Sequence, residues 1–204
     1  MSRPARHASP EGIHCSARTF FATTRTSQGR CLLQSERNAT LMIDVLRSYL
    51  KARKFRLHDL VIMPDHVHVL LTVGAGMTIE RVMQFIKGGF SHAVKTELGS
   101  NMEVWQKGFS DHRIRDGEDL AVHLRYIHEN PVRAHLVETA GEYEYSSAHG
   151  GIVLDEVPQR LKPLSMGAAG GAAEAAPFQS SSQVNRAEVE AACPQIEDLV
   201  SKKD

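Results

Sequence analysis

Apolar positions recur with two different periods between residues 18 and 137, and the switches between them divide the chain into seven elements. Arg18–Arg25, rich in β-branched and aromatic residues, reads as a strand. From Gln34 to Ala52, Leu41, Val45, Leu46, Tyr49 and Leu50 return at helical spacing. Arg47, Lys51, Arg53 and Lys54 gather near the end of that helix, where cations suit the helix dipole. Phe55–Met63 and His66–Val73 are apolar strands separated by Pro64-Asp65, a pair suited to a tight turn. Thr78–Leu98 reads as a second helix capped by Thr78, with Gly88-Gly89 predicting a kink or a split. Val104–Arg115, which holds the only tryptophan, alternates as a fourth strand. Asp116 or Gly117 then opens a third helix, with Glu118 and Asp119 in its favourable first turn. Pro131 removes a backbone donor and disfavours helical geometry at Asn130, so that helix is expected to end or kink there. The order β-α-β-β-α-β-α predicts an α+β fold: a ferredoxin-like antiparallel sheet with helices packed on one face, plus an extra C-terminal helix. Such a sheet leaves its other face for a nucleic acid strand or a metal site, and periodicity does not say which.

The candidate chemistry begins with His66-Val67-His68. On a strand, residues two apart share a face, so both imidazoles project together from a rigid element, a geometry that suits one metal ion held by two neutral nitrogens. Tyr126 and Asn130 lie four apart on the third helix and share a face. A tyrosine is a poor nucleophile while its phenol is protonated, near pKa ~10. Chemistry through Tyr126 therefore requires a base or a strongly electrophilic substrate, and a divalent metal on a phosphodiester supplies the second. Asp65 either shapes the turn or orients His66, and the turn is the simpler role. His128 and His135 lie on the tyrosine segment but off its face. Asp111-His112 is most simply a strand-end ion pair, and Trp105 a core residue.

Three stretches carry a family resemblance. Met63-Pro64-Asp65-His66-Val67-His68-Val69-Leu70-Leu71, Trp105 to Arg115, and Arg125-Tyr126-Ile127 with Asn130-Pro131-Val132-Arg133-Ala134 and Leu136-Val137 together resemble the single-tyrosine transposases of the His-hydrophobe-His class. Within that class the chain is most similar to the IS200-like branch associated with repetitive extragenic palindromes (REP), over roughly residues 15–150. The resemblance implies cleavage and rejoining of single-stranded DNA, with hairpins or palindromic repeats as partner and Tyr126 as nucleophile. It also implies Mg²⁺ or Mn²⁺ on His66 and His68, with Asn130 as an oxygen ligand. Arg125 and Arg133, which flank the tyrosine, are candidate phosphate contacts, as are Lys87, Arg53 and Lys54. Relatives act as monomers or as homodimers that exchange the tyrosine helix. Two other readings remain at this point: a catalytically idle, domesticated DNA-binding protein, and a histidine-triad nucleotide hydrolase, which is weakened by Leu70 where a third histidine would stand.

Composition changes the picture little. The net charge of the 204 residues is zero, but residues 1–60 hold eleven Lys/Arg against four Asp/Glu, a balance of +7 that suits a phosphate backbone. Residues 151–204 hold five against eight, and all eleven histidines precede residue 150. Residues 1–12 read as a flexible arm, 13–150 as the catalytic domain, and 151–204 as a low-complexity, disordered tail rich in Gly, Ala and Ser, with a short helix over 185–200. Three cysteines without ligand spacing read as reduced thiols. No apolar run reaches the roughly 18 residues of a membrane span, and no signal-peptide core follows the N-terminus. A cytoplasmic location, with no membrane partner, is expected.

Overall fold

Strand β1 (Arg18–Arg25) alternates so evenly that each face of the sheet receives its own apolar set, and the rest of the architecture follows from filling both. The computed structural model describes residues 16–162. Along them run β1, α1 (Glu36–Lys51), β2 (Arg56–Ile62), β3 (His66–Val73), α2 (Ile79–Leu98), β4 (Ser110–Arg113) and α3 (Gly117–Arg133). The four strands form one antiparallel sheet in the order β2-β3-β1-β4, with α1 and α2 as crossovers. This is the ferredoxin-like plait with an added helix.

The first face is the larger core. Phe20 and Ala22 of β1, and Val67, Val69 and Leu71 of β3, meet Met42 and Leu46 of α1 and Val82, Ile86 and Phe90 of α2. Ser35 caps α1 by accepting from the Asn38 amide, and Thr78 caps α2 by accepting from that of Arg81. Helix α2 runs unbroken through Gly88-Gly89, against the expected kink or split. The physical reason for Gly89 lies across the interface: a Cβ there would stand 2.7 Å from the Tyr49 ring of α1. The glycine admits a close helix approach rather than a bend.

The second face is smaller and is covered by α3. Phe21, Val61, Met63 and Leu70 of the sheet side pack against Leu120 and Ile127 of α3, with Ile114 and Leu161 at the margins. Two expectations of extent are corrected. The fourth strand is only Ser110–Arg113, because Gly108 turns the chain at φ +77°. Before that turn, Trp105 packs on Phe90 and donates its indole N–H to the Lys87 carbonyl. Helix α3 carries Pro131 inside its last turn, where the ring is buried, and runs on to Arg133, two residues before His135 reverses the chain at φ +56°. Proline lacks a donor there, but Ala134 N–H still reaches the Asn130 carbonyl, and Leu136 N–H closes the helix end on the Pro131 carbonyl.

The outer edge of β2 is bonded to the chain that follows α3. Ile62 N–H donates to Tyr145, Asp155 N–H to Leu57, and the Asp155 carboxylate accepts from Leu57 N–H. Residues 151–162, assigned by composition to the tail, therefore belong in part to the packed structure, and Leu161 is fully buried. Residues 1–12 and those beyond 162, including the short helix expected over 185–200, lie outside the described residues. Cys31 is disulfide-bonded rather than a free thiol. Spacing along the chain does not reveal the Cα proximity of about 5.5–6 Å on which such a bond depends. Among the described residues no helix is long and apolar enough to cross a membrane.

Candidate active site

The pairing of β3 with β1 sets the two histidines. His68 stands opposite Thr23 and His66 opposite Arg25, while Val67 between them and Val69 after them enter the larger core. Both imidazoles therefore face the α3 side, with ring centroids 4.7 Å apart. Each has its Nδ1 occupied. His66 Nδ1 meets the Asp65 carboxylate at 2.5 Å, so this nitrogen carries a proton toward Asp65 and Nε2 is the one that would ligate an ion. His68 Nδ1 meets the Thr23 hydroxyl at 2.7 Å, and its Nε2 faces the Asn130 amide at 3.2 Å. Burial, then the charges of His66 and Arg25, push the His68 pKa well below 6.5, so the ring is neutral at physiological pH.

Asp65 serves two purposes. Its carbonyl accepts from the Thr26 amide, which carries the β1–β3 pairing one residue further, and its side chain orients His66, a role that the sequence reading ranked behind that of shaping the turn. Burial works against its charge. The hydrogen bond from His66 and the charges of His66 and Arg25 outweigh that and hold the carboxyl below its ordinary value. Arg25 reaches the same carboxylate at 3.5 Å.

Helix α3 brings the remaining groups. The Tyr126 ring lies edge-on to His68 with centroids 5.2 Å apart, and edge-on to Phe21 at 5.8 Å. Phe21 stacks beneath His68 at 5.2 Å and so forms the floor of the site. The sequence-predicted set His66, His68, Tyr126 and Asn130 is thus brought together within one chain. Two nitrogen lone pairs and an amide, whose oxygen a half-turn would present, form a donor set that fits a divalent ion.

The candidate DNA contacts separate. Arg133 lies over the Tyr126 ring at 5.7 Å and pairs with Glu129, and Arg125 is exposed on the same helix. Lys87 instead donates to the Gln106 and Gly108 carbonyls on the α2 side, holding the loop before β4. Arg53 and Lys54 precede β2, whose Arg56 pairs with Thr72, whereas Val61 pairs with His68. Five strand residues, or about 17 Å, put them at the other end of the hairpin, where with Lys51 and Arg56 they line a basic cleft.

Sequence reasoning missed Thr23 and Arg25, whose signal is the cross-strand register and not a local motif. His128 is also more engaged than expected. It pairs with buried Asp59 of β2 at 2.8 Å, and Ser147 donates to the same carboxylate. His112, expected in a strand-end ion pair, pairs across to Asp119 of α3 at 2.9 Å.

Comparison with known proteins identifies a family. The model of the family described as "Transposase IS200 like" matches residues 22–130. A REP-associated tyrosine transposase of Escherichia coli K12 is 26% identical over 132 residues, covering 64% of this chain and 76% of that protein. A provisionally named REP-associated tyrosine transposase of Haemophilus influenzae is 27% identical over 145 residues, covering 63% and 82%. A solved REP-associated tyrosine transposase bound to a REP hairpin superimposes with a TM-score of 0.56 at 26% identity, over 83% of this chain and 98% of that one. With a family match across more than half its length, the chain belongs to the IS200-like transposase family.

Proposed function

We propose that the protein cleaves and rejoins single-stranded DNA at hairpin-associated sites through a covalent 5′-phosphotyrosine on Tyr126. One observation carries the reading: the Tyr126 ring stands 5.2 Å from His68 while Asn130, one turn on, reaches the Nε2 of the same imidazole. His66, His68 and Asn130 would hold Mg²⁺ or Mn²⁺, which supplies charge neutralisation at a non-bridging phosphate oxygen. The Tyr126 Oη attacks phosphorus in line and loses its proton. The bond to the 3′ oxygen breaks, and that oxygen leaves as a free 3′-hydroxyl. Because the phosphodiester energy is kept in the tyrosyl ester, a 3′-hydroxyl reverses the step without ATP. Arg133 and Arg125 are suited to hold the phosphates flanking the break. The tyrosine reaches the histidines of its own chain, which supports action in cis, so that a monomer suffices. The REP hairpin bound by the structural relative makes a palindromic hairpin the substrate of choice.

The test uses hairpin-bearing oligonucleotides labelled at either end, incubated with the protein and Mn²⁺ and resolved on a denaturing gel. An adduct is expected with the parent protein and none with Tyr126→Phe. His66→Ala is expected to abolish the adduct while leaving much of the DNA affinity, because the ion acts mainly on the transition state. Binding without an adduct would instead identify an idle DNA-binding protein, and hydrolysis without an adduct a nuclease of another kind.

A further inference from the structure

A second cluster of metal-ligating side chains lies one aromatic ring away from the histidine pair. His112 stands on β4 directly opposite Phe21, so it projects to the α3 side of the sheet. Asp119 and His123, four apart on the first two turns of α3, point back at it. His112 Nε2 lies 2.9 and 3.0 Å from the two Asp119 oxygens, and His123 Nδ1 lies 3.1 Å from Oδ1. One ligand atom from each of the three residues falls within 4.8 Å of the others. The two imidazoles stack at 4.7 Å, and the His123 ring is 4.8 Å from Phe21.

From this we propose that His112, Asp119 and His123 form a second cation site, for a divalent transition metal of the Zn²⁺ type, which cross-links β4 to the tyrosine helix. Two imidazoles favour a borderline ion over Mg²⁺ or Ca²⁺, and the carboxylate adds a charge that the His66, His68 and Asn130 set lacks; on the same ligand preference that first set suits Mn²⁺ better than Mg²⁺. The carboxylate is already oriented by the Arg115 amide, which donates to Oδ2 at 3.1 Å, the kind of supporting bond that metal ligands depend on. His112 keeps 36% of its side-chain surface exposed against 11% for His123, so an ion can enter from the His112 side and retain water. His123 Nδ1 faces the Asp119 carbonyl at 2.8 Å, so ligation through Nδ1 requires the ring proton to reside on Nε2. The ion would fix the end of α3 that lies one turn before Tyr126, and so set how the nucleophile meets His68. It is separate from the ion assigned to His66, His68 and Asn130, and neither depends on the other.

The experiment is a metal count by equilibrium dialysis of the full chain, stripped by chelator and then exposed to Zn²⁺. The pair of substitutions His112→Gln and His123→Gln is expected to remove one equivalent of Zn²⁺ from whatever the parent binds. In protein carrying His66→Gln and His68→Gln, one equivalent should remain, Zn²⁺ should raise the melting temperature, and Co²⁺ should give visible d–d bands. Asp119→Asn is nearly the same size, removes one acceptor oxygen and the charge, and serves if the double variant does not fold. Its Zn²⁺ affinity should fall at least tenfold in protein that circular dichroism shows to be folded. An unchanged count on removing His112 and His123, or full affinity in Asp119→Asn, overturns the second site and leaves the first untouched. Loss of binding only through His66 and His68 does the same.

Discussion

At the scale of single residues, the site is governed by what occupies the far nitrogen of each histidine. Asp65 and Thr23 take the two Nδ1 atoms, so Nε2 is the nitrogen each ring has left for an ion, and that of His68 already faces Asn130. Asp65→Ala should therefore weaken Mn²⁺ binding about 10–100-fold while the fold persists, since such supporting bonds to ligands typically contribute that much. Calorimetric titration of the variant checks this, and unchanged affinity would show that the turn alone requires Asp65. The histidine pair was legible because strand alternation is a local property, and Tyr126 with Asn130 because helix periodicity is too. Thr23 was not legible: it lies 45 residues from His68, and only the β1–β3 register makes them partners.

At the scale of elements, the placement of α3 decides whether the tyrosine can work, and the His128–Asp59 pair is one of its fastenings. The hydrogen bond to Asp59, opposed by burial and assisted by the carboxylate's charge, raises the His128 pKa above 6.5. A pKa raised on folding stabilises the native state most below the unfolded value and loses that contribution as pH climbs through the folded one. His128→Gln should accordingly lower the urea midpoint more at about pH 5.5 than at about pH 9. An equal loss at both would mean that the charge of His128 contributes nothing. The glycine pair of α2 offers a second check. Gly89→Ala forces Tyr49 to move and should cost about 1–3 kcal/mol. Gly88 is exposed with nothing within 4 Å of an added Cβ, so Gly88→Ala should gain roughly 0.5–1 kcal/mol from helix propensity. Chemical denaturation separates the two. The kink expected at these glycines shows where sequence reading stops: their entropic cost is written locally, but the Tyr49 ring that requires Gly89 is on another helix. The early stop expected at Pro131 failed for a related reason, since its missing hydrogen bond is visible in the sequence and the burial of its ring is not.

At the scale of the whole molecule, α+β class, strand order and two-faced sheet follow from the order of elements, while the domain's C-terminal extent does not. Leu161 lies in the stretch that composition gave to the tail, yet it closes the smaller core beside α3. Leu161→Ala should destabilise by about 2–5 kcal/mol, the usual range for a fully buried leucine. Thermal unfolding measures it, and a change near zero would detach this stretch from the fold. The backbone bonds that Tyr145 and Asp155 make along β2 bear on more than stability. A sheet border with idle amides and carbonyls invites the border of a neighbouring molecule to join it. Shortened versions of this chain that end before residue 143 would therefore be the ones to clump at high concentration, and crystallisation or expression trials gain by keeping everything through residue 162.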